Sequence, residues 1–277
     1  MNFGDMVQVG NVVVICNDAR RVREIVRIVN PDIYFVDPPY EKTELYHCIP
    51  FFSHGKYLAV SWGYRSFSTA CCAAESRGWE PMFEAVWDCV TSWYTPSNPL
   101  ARHRSIGVYG KLNTFNLDAA LIELPRVVDA MQCDIWGGEK NPNVRTVKNT
   151  RGSYEYEQSG KHLSTVFQYP NTQLKRNGYS HGKPVRWLSA ILSGLQGNTV
   201  FDFFGGTGAV AEACLSIGRS CYVVEIEPEK CESIVELVAK SQDGARPVCW
   251  EPPAEHYGTG QNIGQQRQHK ITADTME

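Results

Sequence analysis

The sequence predicts an α/β fold, a mostly parallel sheet with helices on both faces. Three observations point there. Short apolar runs rich in β-branched residues alternate with stretches of helical period, first before residue 111 and again after residue 182. A glycine-rich turn stands between one such strand and the next helix, and an acidic residue closes the strand after that. The 277 residues are 43% hydrophobic and 21% charged, enough to close the core of a domain near the upper size of a single α/β unit. Strands that alternate with helices are joined by crossovers, and crossovers make neighbouring strands parallel.

Taken in order, Val12–Cys16 is the longest clear β-type run and ends at Asn17-Asp18. Ala19–Val29 then reads as a helix, with Arg20, Arg23 and Arg27 at i, i+3 and i+7 along one face. Ile33–Val36 is a short buried strand stopped by Asp37-Pro38-Pro39. Lys56–Trp62, Met82–Asp88 and Ser105–Gly110 are three further strands, with a helix over Phe67–Ser76 between the first two. From about residue 112 to 181, Asn, Gly, Ser, Lys and Arg become frequent and turn dipeptides such as Asn177-Gly178 occur. This stretch is expected to form an inserted lobe. The α/β pattern resumes with a helix over Lys183–Ser193, a strand over Thr199–Phe204, a glycine loop, a helix from Ala209 and a strand over Cys221–Glu225. Residues 8–111 and 182–240 are therefore two halves of one domain. Residues 241–277 are polar, Gln-rich towards the end, and expected to be a disordered tail.

The formal net charge of −3 argues, taken whole, against a protein coated in positive charge for gripping nucleic acid. No apolar run approaches the roughly 18–20 residues of a membrane span. Met1–Asp5 lacks a basic leader region, so a cytoplasmic protein is expected. The ten cysteines contain no Cys-x-x-Cys pair and no zinc-finger spacing, so reduced thiols and no metal are expected. Cys16 and Cys89 sit inside apolar segments, where a thiol behaves as a small hydrophobe.

The glycine loop is Asp202-Phe203-Phe204-Gly205-Gly206-Thr207-Gly208, between a strand and a helix. Glycines there permit a tight turn and let the backbone approach a ligand at a helix N-terminus. Glu225, 20 residues after Gly205, ends the next strand, where a carboxylate can accept both hydroxyls of a ribose. Gly206-x-Gly208-x-x-Ala211 also satisfies a dinucleotide fingerprint. A dinucleotide fold, however, builds most of its sheet downstream of that motif, and only 52 residues follow Glu225 here. A NAD enzyme would need an unusual permutation.

Asp37-Pro38-Pro39-Tyr40 reads in two ways. Prolines end a strand, which alone would explain the sequence. The chemical reading is narrower. A carboxylate and a proline-rigidified carbonyl can both accept hydrogen bonds from one exocyclic amino group, while an aromatic ring stacks on the base that carries it. The amino nitrogen of adenine or cytosine is a poor nucleophile because its lone pair is delocalised into the ring. Accepting both N–H bonds draws that nitrogen towards tetrahedral geometry, and binding then supplies orientation for direct attack on a methyl sulfonium.

Together these motifs resemble the amino-group DNA methyltransferases that use S-adenosylmethionine, in the permuted β-class order. In that family Asp-Pro-Pro-Tyr comes first, a target-recognition region follows and a Phe-x-Gly-x-Gly loop comes last. This chain has that order at residues 37–40, about 112–181, and 204–208, and the resemblance spans roughly residues 8–240. It implies a Rossmann-like methyltransferase fold with a mostly parallel seven-stranded sheet and a small target-recognition lobe. It further implies that Asp37 and the Pro38 carbonyl, in the turn with Pro39, hold the amino group while Tyr40 stacks on the base. Asp202, Phe203, Phe204, Gly205, Gly206, Thr207 and Gly208 would line the methionine end of S-adenosylmethionine, and Glu225 its ribose. Asn17-Asp18 resembles the position that meets the cofactor's adenine, although a strand-to-helix cap explains it equally. Lys183-Pro184, after His181, resembles the element near the methionine carboxylate, although Pro184 also suits a first helical residue. The chain departs from the family at Asp202-Phe203-Phe204, where Asp-Pro-Phe is usual, at Ala209, where Thr is common, and in a His–Lys spacing two residues short.

Between residues 140 and 187 nine basic residues face two acidic ones, a local +7 that leaves −10 for the remainder. Lys140, Arg145, Lys148, Arg151, Lys161, Lys175 and Arg176 are the candidates for phosphate contact, interleaved with Tyr154, Tyr156, Phe167, Tyr169 and Tyr179. A solvated basic surface over a small aromatic core is the blander reading. The function expected is methylation of adenine N6 in double-stranded DNA, with the target base flipped out. N4-cytosine methylation and an inactive DNA-binding module of the same fold are the alternatives. A homodimer is compatible with the sequence, and no nuclease motif is evident in it.

Overall fold

The computed structural model describes residues 1–63, 65–93, 101–111, 113–122, 144–149, 152–157, 161–162, 165–168, 182–242 and 245–250. Four parallel strands form its centre: β2 (Val12–Cys16), β3 (Ile33–Val36), β12 (Thr199–Asp202) and β13 (Ser220–Glu225), in the spatial order β3-β12-β13-β2. Beyond β3 lie β4 (Tyr57–Trp62), parallel to it, then β6 (Ala101–Tyr109) and β5 (Pro81–Trp93). β6 runs antiparallel to both of its neighbours. These seven strands match the expected sheet, which among the described residues has ten strands in all.

The additional strands are short and sit at the edges. β1 (Met6–Val9) pairs antiparallel with β2 through a two-residue turn at Gly10-Asn11, where Gly10 adopts a φ of 57°. β14 (Val248–Cys249) adds to β1, so the stretch assigned to a polar tail contributes a strand; residues 251–277 lie outside the described residues. At the other edge β11 (Val166–Gln168) lies parallel to β5, although the sequence reading places it within the inserted lobe. Also in that stretch are a two-stranded hairpin of β8 (Val144–Asn149) with β9 (Gly152–Glu157), and a pairing of β7 (Leu121–Ile122) with β10 (Lys161–His162).

The period of two along the strands sorts the core into layers. Val12, Val14, Cys16, Ile33, Phe35, Val200 and Val223 pack with α3 (Val185–Gly194), α4 (Ala209–Ser216) and α5 (Pro228–Ser241). Their alternates Val13, Ile15, Tyr34, Val36, Leu58 and Val60 pack on the opposite face with α2 (Phe67–Glu75), Tyr46 and Trp79. Cys16 and Cys89 are both fully buried within the first layer. Burial pushes the Cys89 thiol up to about 11, consistent with a packing role.

One predicted helix is two elements. A 3₁₀ turn (Ala19–Arg21) precedes α1 (Arg23–Val29), and the two are separated at the fully buried Val22. The cause is local: the Asp18 carboxylate accepts the backbone N–H of Arg20, which closes a tight turn before the α-helix starts. Arg20 therefore folds back on Asp18 and leaves the expected arginine row, while Arg23 and Arg27, four apart on α1, keep a shared face on which Arg27 pairs with Glu24.

Candidate active site

β3 and β12 are neighbours, yet the chain leaves them towards opposite faces of the sheet. After β12 it enters α4 on one layer; after β3 it turns to the layer that holds Tyr46 and α2. Such a divergence opens a crevice at the carboxyl ends of the strands. A cavity of about 650 Å³ lies there, of the size expected for a small-molecule site. Its wall brings together Asn17, Asp18, Asp37, Pro38, Pro39, Tyr40, Lys183, Phe203, Phe204, Gly205, Gly206, Thr207 and Glu225. Asp202, Gly208 and Pro184, also singled out by sequence, are not among the lining residues.

The glycine loop owes its shape to two left-handed residues, Gly206 at φ 53° and Gly208 at φ 79°. Gly205 is required for space: a Cβ there would lie 2.4 Å from Val223 Cγ1. At Gly206 a Cβ would meet only the Phe204 carbonyl, at 3.9 Å, so that residue faces open room. The Glu225 carboxylate steadies the loop by accepting the N–H groups of Gly206 (2.8 Å), Ile226 (2.8 Å) and Glu227 (3.0 Å). Asp18 is engaged by Arg20, whose guanidinium holds its carboxyl below the usual range. The Asn17 side chain accepts the Asp18 N–H at 2.8 Å, a local cap of the kind the sequence allowed.

Behind the loop, Asp202 is fully buried. Its Oδ1 accepts the Phe204 N–H at 3.0 Å, and its Oδ2 has no partner among the described residues. Burial pushes its carboxyl up to about 8, helped by the nearby Asp37 charge and opposed by that hydrogen bond. Asp202 is thus a neutral acid near pH 7, held at the end of β12.

On the other side of the crevice, the turn after β3 places Asp37 half-buried and Pro38 buried. The Pro38 carbonyl accepts no backbone hydrogen bond from the described residues. The Tyr40 hydroxyl lies 3.1 Å from Ser61 Oγ on β4. Arg104 of β6 sits over the Tyr40 ring, 5.4 Å from its centroid, and also lines the cavity. Burial raises the Tyr40 hydroxyl, with Asp37 adding to the effect, so the ring stays neutral. The Lys183 ammonium is buried and donates to Asp37 Oδ2 and, at 3.5 Å, to the Tyr40 hydroxyl. Its burial would lower its proton affinity, but the Asp37 carboxylate outweighs that and leaves it raised.

Ser61 and Arg104 are two site residues that sequence reading missed. Ser61 lies in a strand whose apolar pattern signals only burial, and Arg104 precedes the strand expected from sequence, where nothing in the chain marks a ligand. Of the basic residues, Arg145 and Lys148 fall on β8, opposite Tyr156 and Ser153 of β9, and Lys161 on β10. Lys140, Arg151, Lys175 and Arg176 lie outside the described residues. Among the described residues no helix is long and apolar enough to cross a membrane, and no group of three or more His, Cys, Asp or Glu could hold a metal.

Three solved structures share this architecture at low sequence identity. The PvuII DNA methyltransferase (cytosine-N4-specific) superposes with a TM-score of 0.57 at 10% identity, covering 88% of this chain and 97% of that one. The M1.HpyAVI–SAM complex gives 0.52 at 15% identity, covering 82% and 99%. TTHA0409 from Thermus thermophilus, a putative DNA modification methylase, gives 0.50 at 13% identity, covering 83% and 95%. No curated protein matches the sequence. The profile of the N6/N4 DNA methylase family matches residues 40–236, from Tyr40 of the proline turn to well beyond Glu225. By that match, which takes in more than half of its length, the chain belongs to the N6/N4 amino-methyltransferase family of DNA methylases, whose methyl donor is S-adenosylmethionine.

Proposed function

We propose that this protein methylates the N6 amino group of adenine in double-stranded DNA, with the target base turned out of the duplex into the cavity. The carrying observation is the meeting of the Asp37–Tyr40 turn and the Phe204–Gly208 loop on one cavity, from adjacent strands. The residues present fit S-adenosylmethionine. Gly206 leaves open room in the wall, and the Glu225 carboxylate keeps lone pairs for a ribose. Asn17, Asp18, Phe203, Phe204, Gly205 and Thr207 complete that half of the wall.

When bound, S-adenosylmethionine supplies an electrophilic methyl group on a sulfonium, and the electron pair of the broken carbon–sulfur bond stays on sulfur. Asp37 and the Pro38 carbonyl accept the two N–H bonds of the target amino group, which localises the nitrogen lone pair. Tyr40 stacks on the base and fixes its plane, at a stacking contribution of about 1–3 kcal/mol. Turning the base out costs a few kcal/mol, which these contacts offset. Asp37 is the acceptor nearest the proton that the methylated nitrogen must lose, and it passes that proton to solvent. An Asp at the first position of the turn favours adenine, by the family resemblance, where Ser is commoner in cytosine enzymes. The +7 stretch at residues 140–187, with Lys140, Arg145, Lys148, Arg151, Lys161, Lys175 and Arg176, supports phosphate contact and hence salt-dependent binding.

The test is incubation with methyl-labelled S-adenosylmethionine and duplex DNA, single-stranded DNA or RNA, followed by nucleoside analysis. N6-methyldeoxyadenosine from duplex DNA is the expected product. N4-methyldeoxycytidine would move the assignment to the alternative base. Salt-dependent DNA binding without any label would identify an inactive DNA-binding module.

A further inference from the structure

We infer that Lys183 is a positioning residue for the target amino group, and that it does not serve as a ligand of the cofactor. The inference rests on reading the Asp37–Tyr40 turn as the amino-group site, and it reverses the role that motif resemblance assigns to this lysine.

The Lys183 side chain is only 6% exposed, and a buried ammonium needs compensating partners. Its hydrogen bonds go to Asp37 Oδ2 and the Tyr40 hydroxyl, both in the proline turn and neither in the glycine loop. Neither Asp18 nor Glu225, the carboxylates beside the glycine loop, pairs with Lys183: Asp18 takes Arg20, and Glu225 accepts three backbone N–H groups. From the opening of α3, Lys183 thus reaches across the crevice to the catalytic half.

Geometry then sets what it does there. With Lys183 on Oδ2, the Asp37 carboxylate is held in one rotamer and keeps Oδ1 for the target N–H. The Tyr40 hydroxyl is held between Lys183 and Ser61, which fixes the ring on which the base stacks. The ammonium also offsets the carboxylate's charge inside the crevice, so the amino group meets an oriented hydrogen-bond acceptor and not a bare anion. Among the described residues, the other charged or titratable groups facing this cluster include Asp202 from β12, Arg104 from β6 and Tyr46.

The experiment compares wild type with Lys183→Met, Lys183→Arg and Lys183→Ala. It measures kcat, KM for DNA, the S-adenosylmethionine Kd by calorimetry, and Tm. We expect Lys183→Met to lose about 10²-fold in kcat, the scale of a misplaced reacting group, with the cofactor Kd unchanged. Lys183→Arg should recover part of that loss. n-Propylammonium added to Lys183→Ala should restore turnover saturably, by supplying a cation to the vacated space. A weakened cofactor Kd with kcat unchanged would assign Lys183 to the cofactor and overturn the inference. Equal loss in all three variants with no amine rescue would make it a packing residue, with the same result. If wild type transfers no methyl group at all, the reading of the site itself fails, and this inference fails with it.

Discussion

Replacing Asp202 with asparagine should change how the stability of this protein depends on pH. In the fold, Asp202 is fully buried with one oxygen unpartnered, and its carboxyl titrates at about 8 where an ordinary aspartate titrates at 3.8. Between those values the native state keeps a proton that the unfolded state has released. The native state binds the extra proton, so stability is fully present below about pH 4 and falls as pH rises, until the carboxyl ionises in the fold at about 8. The slope is about 1.4 kcal/mol per pH unit, or about 2.7 kcal/mol between pH 5 and pH 7. The Asp202→Asn side chain keeps the acceptor for the Phe204 N–H and cannot titrate. Its buried amide has a desolvation cost, but that cost is the same at every pH. Urea denaturation of both proteins at pH 5, 6 and 7 reads the difference, in which every other titrating group cancels. The variant should gain on wild type steadily across the series. Parallel stability curves would refute the premise that Asp202 is held neutral by burial.

Three further outcomes follow from the same geometry. Gly205→Ala places a Cβ 2.4 Å from Val223 Cγ1 and 3.0 Å from Ile234 Cδ1, an overpacking worth about 1–3 kcal/mol. Thermal unfolding should show that loss exceeding the one from Gly206→Ala, whose Cβ meets only open room and bears about 1 kcal/mol of left-handed strain. Glu225→Ala removes a carboxylate that accepts three backbone N–H groups, and the cofactor Kd should weaken about 10- to 100-fold by calorimetry, the scale of one charged hydrogen bond. An unchanged Kd would remove Glu225 from the ribose site. Asp37→Ala should abolish labelled transfer while cofactor binding persists, and should lower Tm because it strands the buried Lys183 ammonium.

Much of the site is legible in residue order because its motifs act over a few residues. The two prolines after Asp37 end β3 wherever that strand lies in the sheet, and Gly206 and Gly208 supply left-handed turns that other residues resist. Strands and helices followed equally from period and punctuation. The errors cluster where a local competitor or a distant partner decided. Asp18 accepting the Arg20 N–H broke the first helix, a side-chain interaction that apolar periodicity does not register. β1, β11 and β14 are short, and their edge pairing comes from neighbours rather than from their own pattern.

The sequence alone therefore determined the fold class, the order of the two motifs and the donor and acceptor types each carries. Those depend on backbone constraints and donor types carried by a few adjacent residues. Tertiary structure alone decided which groups meet. Lys183 reaches Asp37 across 146 residues of chain, and Arg104 lies on Tyr40 because β6 enters the sheet antiparallel beside β4. It also decided that the Asp202 carboxyl keeps its proton well above the usual carboxylate range. That state depends on how completely the sheet and its helices exclude water from the end of β12, and burial is a property of the packed whole.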